Sequence, residues 1–175
     1  MQTTDPGLPV LGTGTVDPAV GMVAPDISGE GLDGKTVSVT ADGRPRAIVF
    51  VAHWCPNCQR EVPQLVALDA QGALSGVDVV GVVTATSPDR PNYPPSAWLQ
   101  REHWPFRTLV DTDDGAVARS FGIDRVPVVV FVDAQGRIAA RLAGASTAEA
   151  IAPMLAALAR GTPISLPAQG ATSPR

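Results

Sequence analysis

Cysteine is scarce in this chain. There are two in 175 residues, both inside the stretch Cys55-Pro56-Asn57-Cys58. No framework of structural disulfides therefore exists to staple a fold or to report an oxidising compartment. Histidine is equally rare, with only His53 and His103. Neither stands at finger-like spacing from the cysteines, which argues against the structural zinc site that a CxxC pair can half-supply. Charge of one sign is never concentrated: 13 Lys and Arg against 17 Asp and Glu give a formal net charge of −4. That balance argues against a nucleic-acid or anionic-membrane binder. No run reaches the roughly 18 apolar residues that a membrane helix needs, and no basic segment followed by an apolar one marks a signal peptide at the start.

What remains is a chain with 45% hydrophobic residues, ordinary for a globular domain and long enough for one substantial core. Its most informative stretch runs from His53 to Pro63. The apolar run Ala47-Ile48-Val49-Phe50-Val51-Ala52 precedes it, and Val62, Leu65 and Val66 follow at the spacing of one helix face. The pattern reads as a buried strand, a tight corner, then a helix that begins at the cysteines. Cysteines three apart in the first turn lie on the same side, at a separation compatible with a disulfide. The first sits where unpaired backbone N–H groups and the helix dipole favour an anion, and the thiolate is the nucleophilic form of cysteine. Pro56 fits because a first-turn residue does not need its N–H. The pair can cycle between dithiol and disulfide, with Cys55 attacking and Cys58 resolving. A static disulfide here would close a very short loop and constrain the unfolded chain little.

Trp54-Cys55-Pro56-Asn57-Cys58 with Pro63 resembles the active-site corner of the thioredoxin superfamily. The continuation Glu61-Val62-Pro63 resembles its extracytoplasmic TlpA/ResA-type thiol–disulfide oxidoreductases (redoxin, AhpC/TSA-related). Gly21-Met22-Val23-Ala24-Pro25-Asp26-Ile27 resembles the opening motif that this branch shares with peroxiredoxins, and Val126-Pro127 resembles the family's cis-proline loop. The match covers about residues 21 to 160. It implies a thioredoxin-like α/β fold: a central mixed β-sheet flanked by helices on both faces, with an insertion between the active-site βαβ unit and the cis-proline strand. It also implies that Glu61 is the acid–base serving Cys58, that Pro127 is cis, and that Val126 offers its backbone to a substrate peptide in a strand-like manner. Trp54 is the expected apolar flank of the site. Ordinary thioredoxins carry a buried Asp six residues before the first cysteine. Val49 stands there in this chain, so Glu61 is the only carboxylate near the motif. A buried Glu would have its pKa raised by desolvation.

In chain order, residues 1–20 are rich in Thr, Pro and Gly and read as a disordered or tether segment. The thioredoxin-like domain spans 21–161, and 162–175 is a disordered tail. Strands are expected over Thr36–Val39, Ala47–Ala52, Val77–Val83, Phe106–Val110, Val128–Val132 and Arg137–Leu142, the last with Ile138, Ala140 and Leu142 on one face. Helices are expected from about Pro56 to Ala70, from a Ser96 cap to about His103, from a Thr112 or Asp113 cap to Phe121, and after the capping box Ser146-Thr147-Ala148-Glu149. Pro63 should kink the first helix. The proline-rich stretch around 87–104 is the insertion, read either as a surface excursion or as a wall of the substrate groove with Tyr93 or Trp98 exposed. His53 reads most simply as an exposed corner residue, with a role in tuning Cys55 as the alternative.

The expected activity is reduction of protein disulfides. The uncharged Pro56-Asn57 dipeptide points to a reducing pair rather than a strong oxidant. No cofactor or metal is expected. Partners are protein disulfide or dithiol substrates and an upstream thiol donor, and the protein is expected to be a monomer. An extracytoplasmic location is favoured by the resemblance, with a cytoplasmic one open. Two rivals stand beside this. A peroxiredoxin-like peroxidase needs a Pro and a Thr before its cysteine, and Phe50-Val51-Ala52-His53-Trp54 has neither. A copper or zinc carrier would use Cys55, Cys58 and His103.

Overall fold

The computed structural model describes residues 7–14 and 16–167. In chain order its elements are β1 (Ile27–Glu30), β2 (Thr36–Val39), β3 (Arg46–Val51), α1 (Pro56–Ala70), β4 (Asp78–Val83), α2 (Pro95–Arg101), β5 (Thr108–Val110), α3 (Ala116–Ser120), β6 (Val128–Val132), β7 (Ile138–Ala143) and α4 (Ala148–Arg160). Five strands form one mixed sheet in the order β5-β4-β3-β6-β7, while β1 and β2 pair separately. β3 is parallel to β4 and antiparallel to β6. This is the thioredoxin-like architecture, with α2, β5 and α3 intervening between the β3–α1–β4 unit and β6.

β3 is central because both of its faces are apolar. Ala47, Val49 and Val51 point into one core with α1, α2 and α4. Ile48 and Phe50 point into the other, as strand alternation requires. Gly81 of β4 is where β5 comes close: a Cβ there would stand 2.7 Å from Thr108 Oγ1. The second core is covered by little helix, since α3 has only 5 residues. The hairpin supplies Ile27 and Val39, and the N-terminal segment supplies Leu8, Leu11 and Ala19.

That last contribution corrects the expectation of a non-burying arm over residues 1–20. The first six residues lie outside the described part, but Leu8 and Leu11 are buried, with their backbone N–H groups donating to Ser120 O and Gly122 O at 2.9 Å. The arm crosses Gly122 so closely that a Cβ there would collide with the Pro9 carbonyl, and its φ of +66 suits glycine alone. Arg141, 2% exposed, holds the arm from within. Its guanidinium makes a two-bond pair with Asp17, 2.8 Å from Nε to Oδ2 and 2.5 Å from Nη2 to Oδ1. Its Nη1 donates to Pro9 O and Phe121 O.

Two local expectations shift by one residue. The strand β7 carries a bulge between its pairings with Phe131 and Val132, so Ile138 joins the core opposite to Ala140 and Leu142. Thr147, not Ser146, caps α4, its side chain accepting from Ala150 N. Pro153 lies on the exposed face of α4, where solvent can take the carbonyl it leaves without an amide donor.

Removing Asp17 leaves a buried guanidinium without its counter-charge. Asp17→Ala is therefore expected to lower unfolding stability by about 3 kcal/mol, read as a drop in the urea midpoint with an unchanged m-value. A loss below about 0.5 kcal/mol would mean the arm contributes little to the fold.

Candidate active site at the Cys55–Cys58 corner

Cys55 is the N-cap of α1, with φ −78 and ψ 119, and Pro56 follows at the first helical position. A sulfur thus occupies the place where Ser, Thr or Asp normally satisfies a first-turn amide. The N–H of Cys58 donates to Cys55 Sγ at 3.3 Å. The same Sγ lies 3.8 Å from the carbonyl oxygen of Val126, and the Val126–Pro127 peptide is cis. Strand β3 delivers the corner at its C-terminal end, and the turn before β6 brings Val126 against it. The sequence-predicted pair Cys55 and Val126 therefore meets across 71 residues of chain.

Cys58 sits behind Cys55, fully buried, its sulfur accepting the N–H of Ala52 at 3.5 Å. Both cysteines are free thiols. Burial pushes the Cys58 thiol far up, reinforced by its contact with Cys55 and by the nearby Glu61 charge. Glu61 lies one turn further along α1 and is 1% exposed. Burial pushes its carboxyl up to about 8, partly opposed by the N–H of Ser146, which donates to Oε1 at 3.3 Å. Oε2 is buried without a hydrogen-bond partner. Arg60, by contrast, turns outward and donates to Asn57 Oδ1, leaving Glu61 without an ion pair. Pro63 is exposed on the outer face of an otherwise continuous α1.

Trp54 is half-buried and walls a groove of about 440 Å³ that reaches Cys55, with Ala85, Ala118, Ile123 and Val126 as its other apolar lining. Its Nε1 donates to Ala85 O at 2.8 Å, and the Arg90 guanidinium stands 4.1 Å above its ring. Of the insertion, Arg90 stacks on Trp54 but no residue of 87–104 lines the groove itself. Tyr93 is exposed, whereas Trp98 is core.

His53 is not an exposed corner residue; it is fully buried. Its Nε2 accepts the N–H of Ser87 at 3.1 Å, which leaves the ring proton on Nδ1 to be donated to Pro91 O at 2.6 Å. Its carbonyl accepts from Asn92 and Gln59 side chains. His53 therefore ties the insertion to the corner, a role with no local sequence signal because its partners lie 34 to 39 positions away. The Ser146 amide at Glu61 was hidden for the same reason. His103 does not join the cysteines: among the described residues no group of three or more His, Cys, Asp or Glu is placed to hold a metal ion, which leaves the metal-carrier reading without a ligand set.

The family model described as Redoxin matches residues 19–158. The thiol:disulfide interchange protein HelX of Rhodobacter capsulatus is 29% identical over 166 residues, covering 93% of this chain and 86% of that protein. The thiol-disulfide oxidoreductase ResA of Geobacillus thermodenitrificans is 27% identical over 135 residues, covering 76% and 74%. Among solved structures, MTB DsbF in its mixed oxidised and reduced forms superposes with a TM-score of 0.64 at 28% identity, covering 75% of this chain and 94% of that one.

A carboxyl whose folded pKa is raised above its unfolded value favours the fold while it stays protonated. The unfolded chain releases the Glu61 proton near 4.5 and the folded one near 8. The folded state binds more protons between these values, so stability should fall as pH rises from about 4.5 to 8 and level off above. Glu61→Gln is expected to flatten that decline in urea titrations across the window. A variant with the wild-type slope would show that Glu61 is not the group responsible.

Proposed function

The chain belongs to the Redoxin family, and as such a thiol–disulfide oxidoreductase we propose that it reduces protein disulfides with Cys55 as nucleophile, Cys58 as resolving thiol and Glu61 as acid–base. The observation that carries the division of roles is the gradient of access. Cys55 borders the groove and Val126, while Cys58 and Glu61 are sealed behind it.

The Cys55 thiolate attacks one sulfur of the substrate disulfide and forms a mixed disulfide. The departing substrate sulfur leaves as a thiolate and takes a proton. Cys58 then gives its proton to the ionised Glu61 carboxylate and attacks Cys55 Sγ. The second substrate sulfur leaves as a thiolate, the proton held by Glu61 is released to it or to water, and the Cys55–Cys58 disulfide remains. Two electrons have moved from the protein to the substrate. An upstream thiol donor restores the dithiol. The buried Cys58 proton is hard to lose to solvent, which is why a carboxyl on the next turn of the same helix is useful there.

The groove beside Trp54 and the carbonyl of Val126 suit an extended substrate segment, held by backbone pairing and an apolar contact. In keeping with the TlpA/ResA-type resemblance, the protein is proposed to act outside the cytoplasm. Among the described residues no helix is long and apolar enough to cross a membrane.

Incubated with insulin as a disulfide substrate, Cys58→Ser should accumulate a dithiothreitol-releasable covalent adduct, and Cys55→Ser none. The opposite pattern would exchange the two roles. In single-turnover resolution of the mixed disulfide, the wild-type rate should rise with pH through about 8. Glu61→Gln should be slower by about a hundredfold, without that inflection. A variant keeping both rate and inflection would remove Glu61 from the mechanism.

A further inference from the structure

Val126 faces two cavities. One is the Trp54 groove. The other, of about 360 Å³, is lined by Gly12, Thr13 and Gly14 of the N-terminal arm together with Asn57, Val126 and Gly144. The two cavities share Arg125 and Val126, the first also reaches Cys55 and the second Asn57, so they adjoin at the cis-proline loop, where a chain lying along Val126 can reach both. We propose that the N-terminal arm is the second wall of the substrate site, and that it seats the uncharged main chain on one side of the substrate cysteine while the Trp54 groove seats an apolar side chain on the other. This inference rests on the oxidoreductase reading above and adds the arm to it.

Three observations carry it. First, the arm is fixed to the loop that meets the reactive sulfur. Arg125, next to Val126, donates from Nη1 to Leu11 O at 2.7 Å and from Nη2 to Gly12 O at 3.1 Å. With the Asp17–Arg141 pair behind it, the arm has two anchors on either side of residues 12–14. Second, the cations at this cavity are already matched. Arg125 pairs with Asp124 at 2.9 Å, and Arg141 with Asp17. The cavity therefore suits a neutral segment and gives no reason to select an anion. Third, its size falls within the range of about 300–1,000 Å³ typical of small-ligand clefts, enough for a short peptide flank and too small for a folded surface.

The test uses the full-length reduced protein and peptides carrying one cysteine as a mixed disulfide with 2-mercaptoethanol. One peptide has uncharged flanks on both sides, and two others each lack one flank. Single-turnover rates against excess protein give a half-saturating concentration and a limiting rate. Gly14→Trp is designed to place a large side chain at the lining of the arm-side cavity. A Cβ added at Gly14 meets nothing within 4 Å, and Thr13→Trp serves if that variant does not fold. In the wild type, each truncation should raise half-saturation by about tenfold. Gly14→Trp should raise it about tenfold for the long peptide with the limiting rate held within about twofold. It should also cancel the effect of one truncation while leaving the other in force, the non-additivity expected of a shared contact. Equal half-saturation for long and truncated peptides, or a Gly14→Trp effect that simply adds to both truncations, would overturn the inference while leaving the oxidoreductase reading intact. Failure of the wild type to react with any of the peptides would overturn that reading, and this inference with it.

Discussion

The contact between the first turn of α1 and the cis-proline loop is the constraint on which the rest of the molecule depends. Cys55 Sγ takes the Cys58 amide from one side and lies against the Val126 carbonyl on the other. Local hydrogen bonds shape the corner, but they do not bring the two segments together. The corner is delivered by β3, buried along its whole length, and the loop by β6, its antiparallel neighbour. The two apolar cores fix the sheet, the sheet fixes those strands, and the strands bring a sulfur and a carbonyl from distant parts of the chain together.

Desolvation then separates the chemical roles. The two sulfurs stand on the same turn of one helix, yet only Cys55 touches a groove open to substrate. Cys58 and Glu61 face the packed side of α1 among Val62 and Leu65. Burial raises the proton affinity of both groups. In the proposed mechanism, a carboxyl whose proton affinity burial has raised toward that of a thiol is matched to a thiol that releases its proton only with help. The surroundings of the corner are completed by parts remote from the motif. His53 holds the insertion, and Arg125 and Arg141 hold the arm.

Much of this was legible in the residues. Pro56 and the spacing of Val62, Leu65 and Val66 mark α1, whose observed bounds are those expected. The apolar runs mark β3, β4 and β6, and the motif resemblance marks Cys55, Cys58 and the cis bond before Pro127. The residues that escaped share a physical cause: their partners are far away in sequence. Asp17 looks like one acid in a polar arm until Arg141, 124 positions later, proves to be buried beneath it. Composition averaged over residues 1–20 hid Leu8 and Leu11, whose burial depends on a core that α3 is too short to cover. The bulge that sends Ile138 to the opposite face is invisible to a strict two-residue alternation. Glu61 marks the boundary between the two kinds of residue, since the motif named it but only the fold shows it buried, with no ion pair among the described residues.

The measurement that tests the central claim most directly is the reduction potential of the Cys55–Cys58 couple, from a glutathione or dithiothreitol redox titration followed by thiol alkylation. A disulfide reductase with an uncharged Pro56-Asn57 linker should titrate as a two-electron couple near or below about −270 mV. A midpoint near about −120 mV would mean that the pair is an oxidant, contradicting the direction of electron flow assigned here. The absence of any reversible transition would contradict the oxidoreductase itself.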